Sequence, residues 1–242
     1  MRFQVTYQIN GDIPLQYRYK VYGLIKEAIK QVAPDYYNRL FVNERHEIKP
    51  FSFAVFLRNF DIRGNWIHLD DLTITISSPS LEFSVNAING LRKLKSYKTE
   101  AAEWRQTSIR MLKEAVIGSN TVVLRTISPL LVEDKQGKPV GPNDERYNEE
   151  LNHYAGLLVR RVAGRSLIRP IEFKPYRMSK VVIKEINRDF ARTQPNQSLY
   201  YTTYKGVFRL SGHREDLQLL YQTGIGKRTV FFGLSEYVRE GV

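Results

Sequence analysis

Apolar residues in this chain recur with two different periods, and the order in which those periods alternate restricts the fold most. Residues 1–9 set Phe3, Val5, Tyr7 and Ile9 on one side, the period of a strand. Residues 19–32 carry Tyr22, Ile25, Ile29 and Val32, with Leu24 and Ala28 beside them, at helical spacing. Pro34 ends that helix, and residues 36–41 allow one more helical turn. Residues 43–50 (NERHEIKP) are polar and charged between apolar runs, so they read as a surface loop. Residues 51–60 form a strand, 61–65 a turn with Gly64-Asn65 at its tip, and 66–77 a returning strand. Residues 79–94 repeat the helical pattern at Leu81, Val85, Ile88 and Leu91. Periodicity alone leaves residues 104–117 open between strand and helix; the segment 106–109 leans towards strand. Strand, helix, two strands, helix, strand is the ferredoxin-like order: an antiparallel four-stranded sheet with both helices on one face.

The second half follows the same order. Residues 120–132 read as a strand with Pro129 near its end, and 133–144 as a Gly- and Pro-rich loop. Asn143 and Asp144 are N-cap candidates for a helix over 145–162, striped by Leu151, Tyr154, Leu158 and Val162 and stopped by Gly164. Two cation-rich strands are expected over 168–176 and 179–186, another over 200–210, a short helix from 212–216, and a last strand over 229–238. The expected fold class is therefore α+β: tandem ferredoxin-like (RRM-like) βαββαβ domains, 1–118 and 119–242, with a C-terminal glycine-rich loop. The 242 residues suit two domains of ordinary size. The halves share topology and no visible sequence similarity.

Lys and Arg exceed Asp and Glu by 12. Such a chain wants a polyanion, nucleic acid before an anionic membrane surface. The excess is clustered: nine Lys and Arg stand between Arg160 and Arg188, against Glu172 and Glu185. Arg165, Arg169, Lys174, Arg177, Lys180 and Lys184 form a candidate track for a phosphate backbone. A second candidate is residues 223–237, where Gly224 and Gly226 free backbone N–H groups beside Lys227 and Arg228. A plain turn accounts for the same glycines. The 15 tyrosines supply rings able to stack on bases. The absence of cysteine excludes disulfides, thiolate zinc sites and cysteine nucleophiles. His46, His68, His153 and His213 show no metal-ligand spacing, so neither metal nor cofactor is expected. No apolar run reaches membrane-spanning length and no signal-peptide core opens the chain, so a soluble cytoplasmic protein is expected.

Three stretches, in register over nearly the whole chain, carry a resemblance: residues 22–29 (YGLIKEAI), 122–132 (VVLRTISPLLV) and 224–234 (GIGKRTVFFGL). Together they resemble the CRISPR-associated endoribonucleases that cut precursor CRISPR RNA within its repeats, members of the repeat-associated mysterious protein superfamily. The resemblance implies two tandem ferredoxin-like domains. It also implies metal-independent cleavage leaving 2′,3′-cyclic phosphate and 5′-hydroxyl ends, with the product retained. Its partners would be CRISPR repeat RNA and other proteins of an effector complex, with the chain as monomer or homodimer and no membrane. Three departures stand out, the first being that His46 lies closer to the Lys49-Pro50-Phe51 strand start than the family histidine commonly does. The family's glycine loop commonly ends Gly-aromatic-Gly, where this chain has Gly233-Leu234-Ser235. A tyrosine on the first helix of some relatives corresponds to Lys26.

RNA carries its own nucleophile, the 2′-hydroxyl. An enzyme must align it with the scissile phosphate, accept its proton, protonate the leaving 5′-oxygen and stabilise the phosphate charge. His46 is the expected general acid or base on the strength of the resemblance; from its charged neighbours alone it reads as a solvated loop residue. Lys49, in the Lys49-Pro50-Phe51 strand start, would stabilise the phosphate, and Lys26 would face it from the helix. The bland alternatives are a charge at a strand start and a solvated helix face. His68, His153 and His213 read as structural. Two further functions fit the charge: a repeat-RNA-binding structural subunit without catalysis, and a basic DNA-binding protein.

Overall fold

A computed structural model describes residues 1–185 and 199–238. Ile186, Arg188 and residues 239–242, which enter the expectations above, lie outside the described residues. In chain order the first part comprises β1 (Arg2–Pro14), α1 (Tyr17–Val32), α2 (Pro34–Tyr37), a π-helical turn (Asn38–Asn43), β2 (Ser52–Arg58), β3 (Asp61–Arg63), β4 (Trp66–His68), β5 (Asp71–Ser77), α3 (Leu81–Lys93), β6 (Ser96–Lys98) and β7 (Ala102–Leu112). The second part comprises β8 (Thr121–Thr126), α4 (Tyr147–Ala163), β9 (Glu172–Glu185), β10 (Leu199–Ser211), α5 (Arg214–Thr223) and β11 (Ser235–Tyr237). The fold is α+β with antiparallel sheets in the tandem ferredoxin-like arrangement. The first sheet runs β2-β5-β1-β7 and the second β9-β10-β8-β11, the same spatial order twice.

Burial on one face explains why these segments take these forms. On β1, Phe3, Val5 and Tyr7 point into the core, while Gln4 and Thr6 face away. Leu24, Ile25 and Ala28 of α1 and Phe83, Ala87 and Leu91 of α3 cover those residues. The Ser80 hydroxyl caps α3 by accepting from the Phe83 N–H at 3.2 Å, with Arg92 and Lys93 at the opposite end of the helix dipole. Gly164, at φ +68°, ends α4 in the left-handed conformation its sequence predicts. Leu151, Leu158, Leu217 and Leu220 cover Leu124, Phe173 and Phe208 in the second core.

Several expectations change. The hairpin over 51–77 has two tiers: β2 pairs with β5, while the short β3–β4 ribbon turns away and joins the far end of β1. His68 is held there by Asp12 (Nδ1···Oδ1 2.9 Å), a structural role. The two cation-rich strands expected over 168–186 are one continuous strand, β9. A β-bulge opposite Val207/Phe208 shifts its alternation by one residue, so the sequence pattern looks broken where the backbone is continuous. Neither Asn143 nor Asp144 occupies the N-cap of α4, which is Arg146; Asp144 accepts from the Arg146 N–H at 3.0 Å instead. The last strand is much shorter than residues 229–238, because 224–234 do something else. Among the described residues, no helix is long and apolar enough to cross a membrane.

Residues 224–234 clasp the two sheets together. The Val230 carbonyl accepts from the Phe53 N–H of β2 at 3.0 Å, on the first sheet. Phe231 packs on Tyr19 and Tyr22 of α1, with centroids at 5.0 and 5.4 Å. Arg2, buried on β1, donates to the carbonyls of Ser235 and Tyr221, both at 2.9 Å. Gly233 has φ +80°, and a Cβ there would collide with the backbone of Ile225. Gly137 has nearly the same φ, +79°, with open space around it. Gly137→Ala is therefore expected to cost about 1 kcal/mol, the conformational strain alone, and Gly233→Ala more than about 2 kcal/mol. Chemical denaturation of the two variants compares them directly; equal losses would contradict the clasp geometry.

Candidate active site

The loop carrying His46 is held from both domains. Arg161, in the last turn of α4, pairs with Glu44 and reaches Glu47 (3.8 Å). Lys49 is no surface charge: only 5% of it is exposed, and its ammonium donates to the Glu44 carbonyl. Burial pushes Lys49 below the ordinary lysine range, Glu44 and Glu47 oppose that, and Arg161 and Lys26 add to it. His46 stands exposed in the turn between these anchors, and no described residue bonds to its ring.

Lys26 does not project from a solvated helix face. Its Nζ lies 5.6–5.7 Å from the ring centroids of Tyr22, Tyr37 and Phe41. Those rings restrict the motion of the side chain and attract its ammonium. Tyr22 itself is pushed up to about 12 by burial, which disfavours a phenolate on this helix near neutral pH. Lys26 and Arg45 line one end of a cavity of about 570 Å³ that follows α1. Lys26 therefore shares this cavity with Arg45, the residue before His46, while Lys49 stays buried under the loop.

The glycine stretch differs from a phosphate cradle. Gly224 N–H donates to Leu220 O (2.9 Å), Ile225 N–H to Gly233 O (3.1 Å) and Lys227 N–H to Leu131 O (2.7 Å). Gly224 and Gly226 are buried, and the Gly226 Cα lies against the Leu131 carbonyl too closely for a side chain. Their glycine character serves backbone-to-backbone packing. Lys227 is paired with Glu133 (2.6 Å). Arg228 is exposed, at φ +54°, with its guanidinium 4.9 Å over the Tyr201 ring. Of the four loop residues, Arg228 is the exposed one. Ser235 opens β11 opposite Thr126, so the backbone there needs no glycine.

The expected cation track divides. Arg165 pairs with Asp216 (2.5 Å) and Glu215 (3.7 Å), and Arg169 donates to the Gly212 carbonyl (2.5 Å), so both hold α5 in place. Lys174, Arg177 and Lys180 are exposed along β9. Lys184 crosses to the other domain and donates to Asn65 Oδ1 at 3.0 Å. His213 precedes α5 as its N-cap, and His153 lies on α4 beside the Tyr154 ring. Among the described residues, no three His, Asp or Glu side chains converge as a metal site.

Sequence reasoning missed Arg161, Arg45, Tyr19 and Trp66. Tyr19 had a signal: Gln16, Tyr19, Gly23 and Lys26 recur at helical spacing on the side of α1 opposite its core stripe. Arg161 and Trp66 had none, since both reach the site from segments distant in sequence.

A family model described as "CRISPR associated protein Cas6, C-terminal" matches residues 112–236. A CRISPR-associated endoribonuclease-like protein Cas6 of Pyrococcus furiosus is 25% identical over 250 residues, covering 96% of this chain and 95% of that protein. The solved structure of a Cas6-related gene product from Pyrococcus furiosus superposes with a TM-score of 0.82 at 22% identity, covering 100% of this chain and 99% of that one. A RAMP protein described as binding different RNA substrates superposes at 0.79 and 21% identity, covering 99% and 100%. The structural likenesses establish a shared fold across both domains.

Proposed function

The chain belongs to the family of CRISPR-associated protein Cas6, and from that premise we propose that it is an endoribonuclease cutting CRISPR repeat RNA without a metal ion. The 2′-oxygen attacks the adjacent phosphorus, its proton passes to a base, the P–O5′ bond breaks and O5′ takes a proton. The products are a 2′,3′-cyclic phosphate and a 5′-hydroxyl, and no water is consumed. His46 exchanges one of these protons, as imidazole does at neutral pH. The Lys26 and Lys49 ammonium groups stabilise charge on the phosphate oxygens. Arg228 and the exposed cations of β9 bind the flanking RNA backbone.

The observation that supports this reading most is the anchoring of the His46 loop. Arg161 and Lys49 hold Glu44, two residues before His46 and next to Arg45, which lines the cavity along α1. A loop with no positional task has no need of such anchoring. One observation favours the second reading, an RNA-binding subunit without catalysis: no described residue orients the His46 ring. Catalytic hydrogen bonds commonly form only once substrate is bound, which keeps the nuclease first.

The test is incubation of the protein in EDTA with a repeat RNA, alongside the same RNA carrying a 2′-deoxy sugar at the cut site. Cleavage of the first, with cyclic phosphate ends, and tight binding without cleavage of the second are expected. Tight binding with cleavage of neither supports the subunit reading. Cleavage that EDTA abolishes removes the metal-free mechanism.

A further inference from the structure

We propose that the groove along α1 is a subsite for single-stranded RNA, in which nucleotides flanking the cut site follow the helix and one base stacks on Trp66. The inference rests on the RNA-processing reading and adds to it where the strand runs and which side chain reads a base.

The groove is the cavity of about 570 Å³ whose other end holds Lys26 and Arg45. Its floor is one side of α1. Gln16, Tyr19, Gly23 and Lys26 follow one another every three or four residues, and ten residues of helix span about 15 Å. That length suits a short run of nucleotides rather than a single small molecule. Both rings and cations line it: Trp66, Tyr19 and Tyr22, with Lys20, Lys26 and Arg45. Glu100 is the acid among its lining residues, and Lys20 neutralises it at 3.6 Å. A cationic groove interleaved with rings suits unpaired nucleotides, because bases held in a duplex cannot offer their faces.

Trp66 sits at the rim, on the short β4 strand. It is 41% exposed, whereas the other tryptophan, Trp104, is completely buried in the first core. No ring of the described residues stacks on Trp66. Its ribbon is also tied to the other domain, since Lys184 of β9 donates to the neighbouring Asn65. The cations exposed along β9 therefore lead to Trp66, the groove continues past Tyr19, and its far end opens beside the His46 loop. A strand laid on this path meets phosphate-binding and base-stacking groups in succession.

Intrinsic fluorescence tests the inference, because Trp104 supplies a constant background. Titration with single-stranded repeat RNA is expected to quench the wild-type protein, and Trp66→Phe to remove most of that quenching while keeping affinity. Trp66→Ala is expected to weaken binding about tenfold, within the range for loss of one base–aromatic stack. The Phe variant restores a ring, so its recovery separates stacking from damage to the fold. Wild-type affinity in Trp66→Ala, or tight binding without Trp66-dependent quenching, overturns the groove and leaves the nuclease reading standing. Failure of the wild-type protein to bind repeat RNA at all removes both.

Discussion

His46→Ala is expected to slow cleavage of repeat RNA about 10²- to 10⁴-fold, the usual contribution of one positioned acid–base group. The structure makes this variant unusually easy to interpret. His46 is exposed and bonded to no described residue, so its removal opens no cavity and leaves no buried partner unsatisfied. Stability should stay within about 0.5 kcal/mol of wild type. RNA affinity should hold as well, since Lys26, Arg228 and the β9 cations are untouched. Single-turnover cleavage, RNA binding and a thermal melt on one preparation check all three. A wild-type cleavage rate would remove His46 from the chemistry. Loss of rate together with loss of affinity would point to RNA binding by this loop instead.

Asp216→Ala is expected to destabilise the second domain by about 2–3 kcal/mol, the upper range for leaving a buried hydrogen-bonding partner unpaired. Asp216 lies in the first turn of α5 with no exposed surface. One oxygen accepts from Arg165 at 2.5 Å and the other from the Ile168 N–H at 2.8 Å. Alanine leaves both donors without their partner and removes a negative charge from the positive end of the helix dipole. Its neighbour Glu215 meets the same arginine at 3.7 Å, but its side chain is 60% exposed. Glu215→Ala should therefore cost at most about 1 kcal/mol. Urea denaturation of the two variants measures the contrast. Equal losses would mean that burial does not set the strength of the Arg165 pairs. The same result would return Arg165 to the pool of cations available to RNA.

The candidate site was legible in part. The resemblance pointed to His46 and Lys49 and the glycines to the C-terminal loop; the structure puts Lys26 on the cavity along α1 and buries Lys49 under the His46 loop. Roles within that set were harder to read. Gly224 and Gly226 admit two uses, exposing N–H groups to a ligand or letting two backbones touch, and the same residue type serves both. The pairing of Lys227 with Glu133, and of Arg165 with Asp216, depends on acids 94 and 51 positions away along the chain. Net charge counts such cations as free, whereas the folded protein neutralises them locally.

Period-two and period-3.6 patterns by themselves determined two sheets with their covering helices, because each element buries one face and must repeat apolar residues at its own pitch. Composition alone set the surplus of 12 positive charges, the reason to expect a polyanionic partner. Only the tertiary structure decided that β9 is continuous through its bulge and that residues 224–234 join the sheets. It alone placed a tryptophan from a distant ribbon at the end of a groove along α1. Those outcomes rest on contacts between residues far apart in sequence. Such contacts leave no local periodicity, and they form only once both cores have fixed the backbone positions that meet.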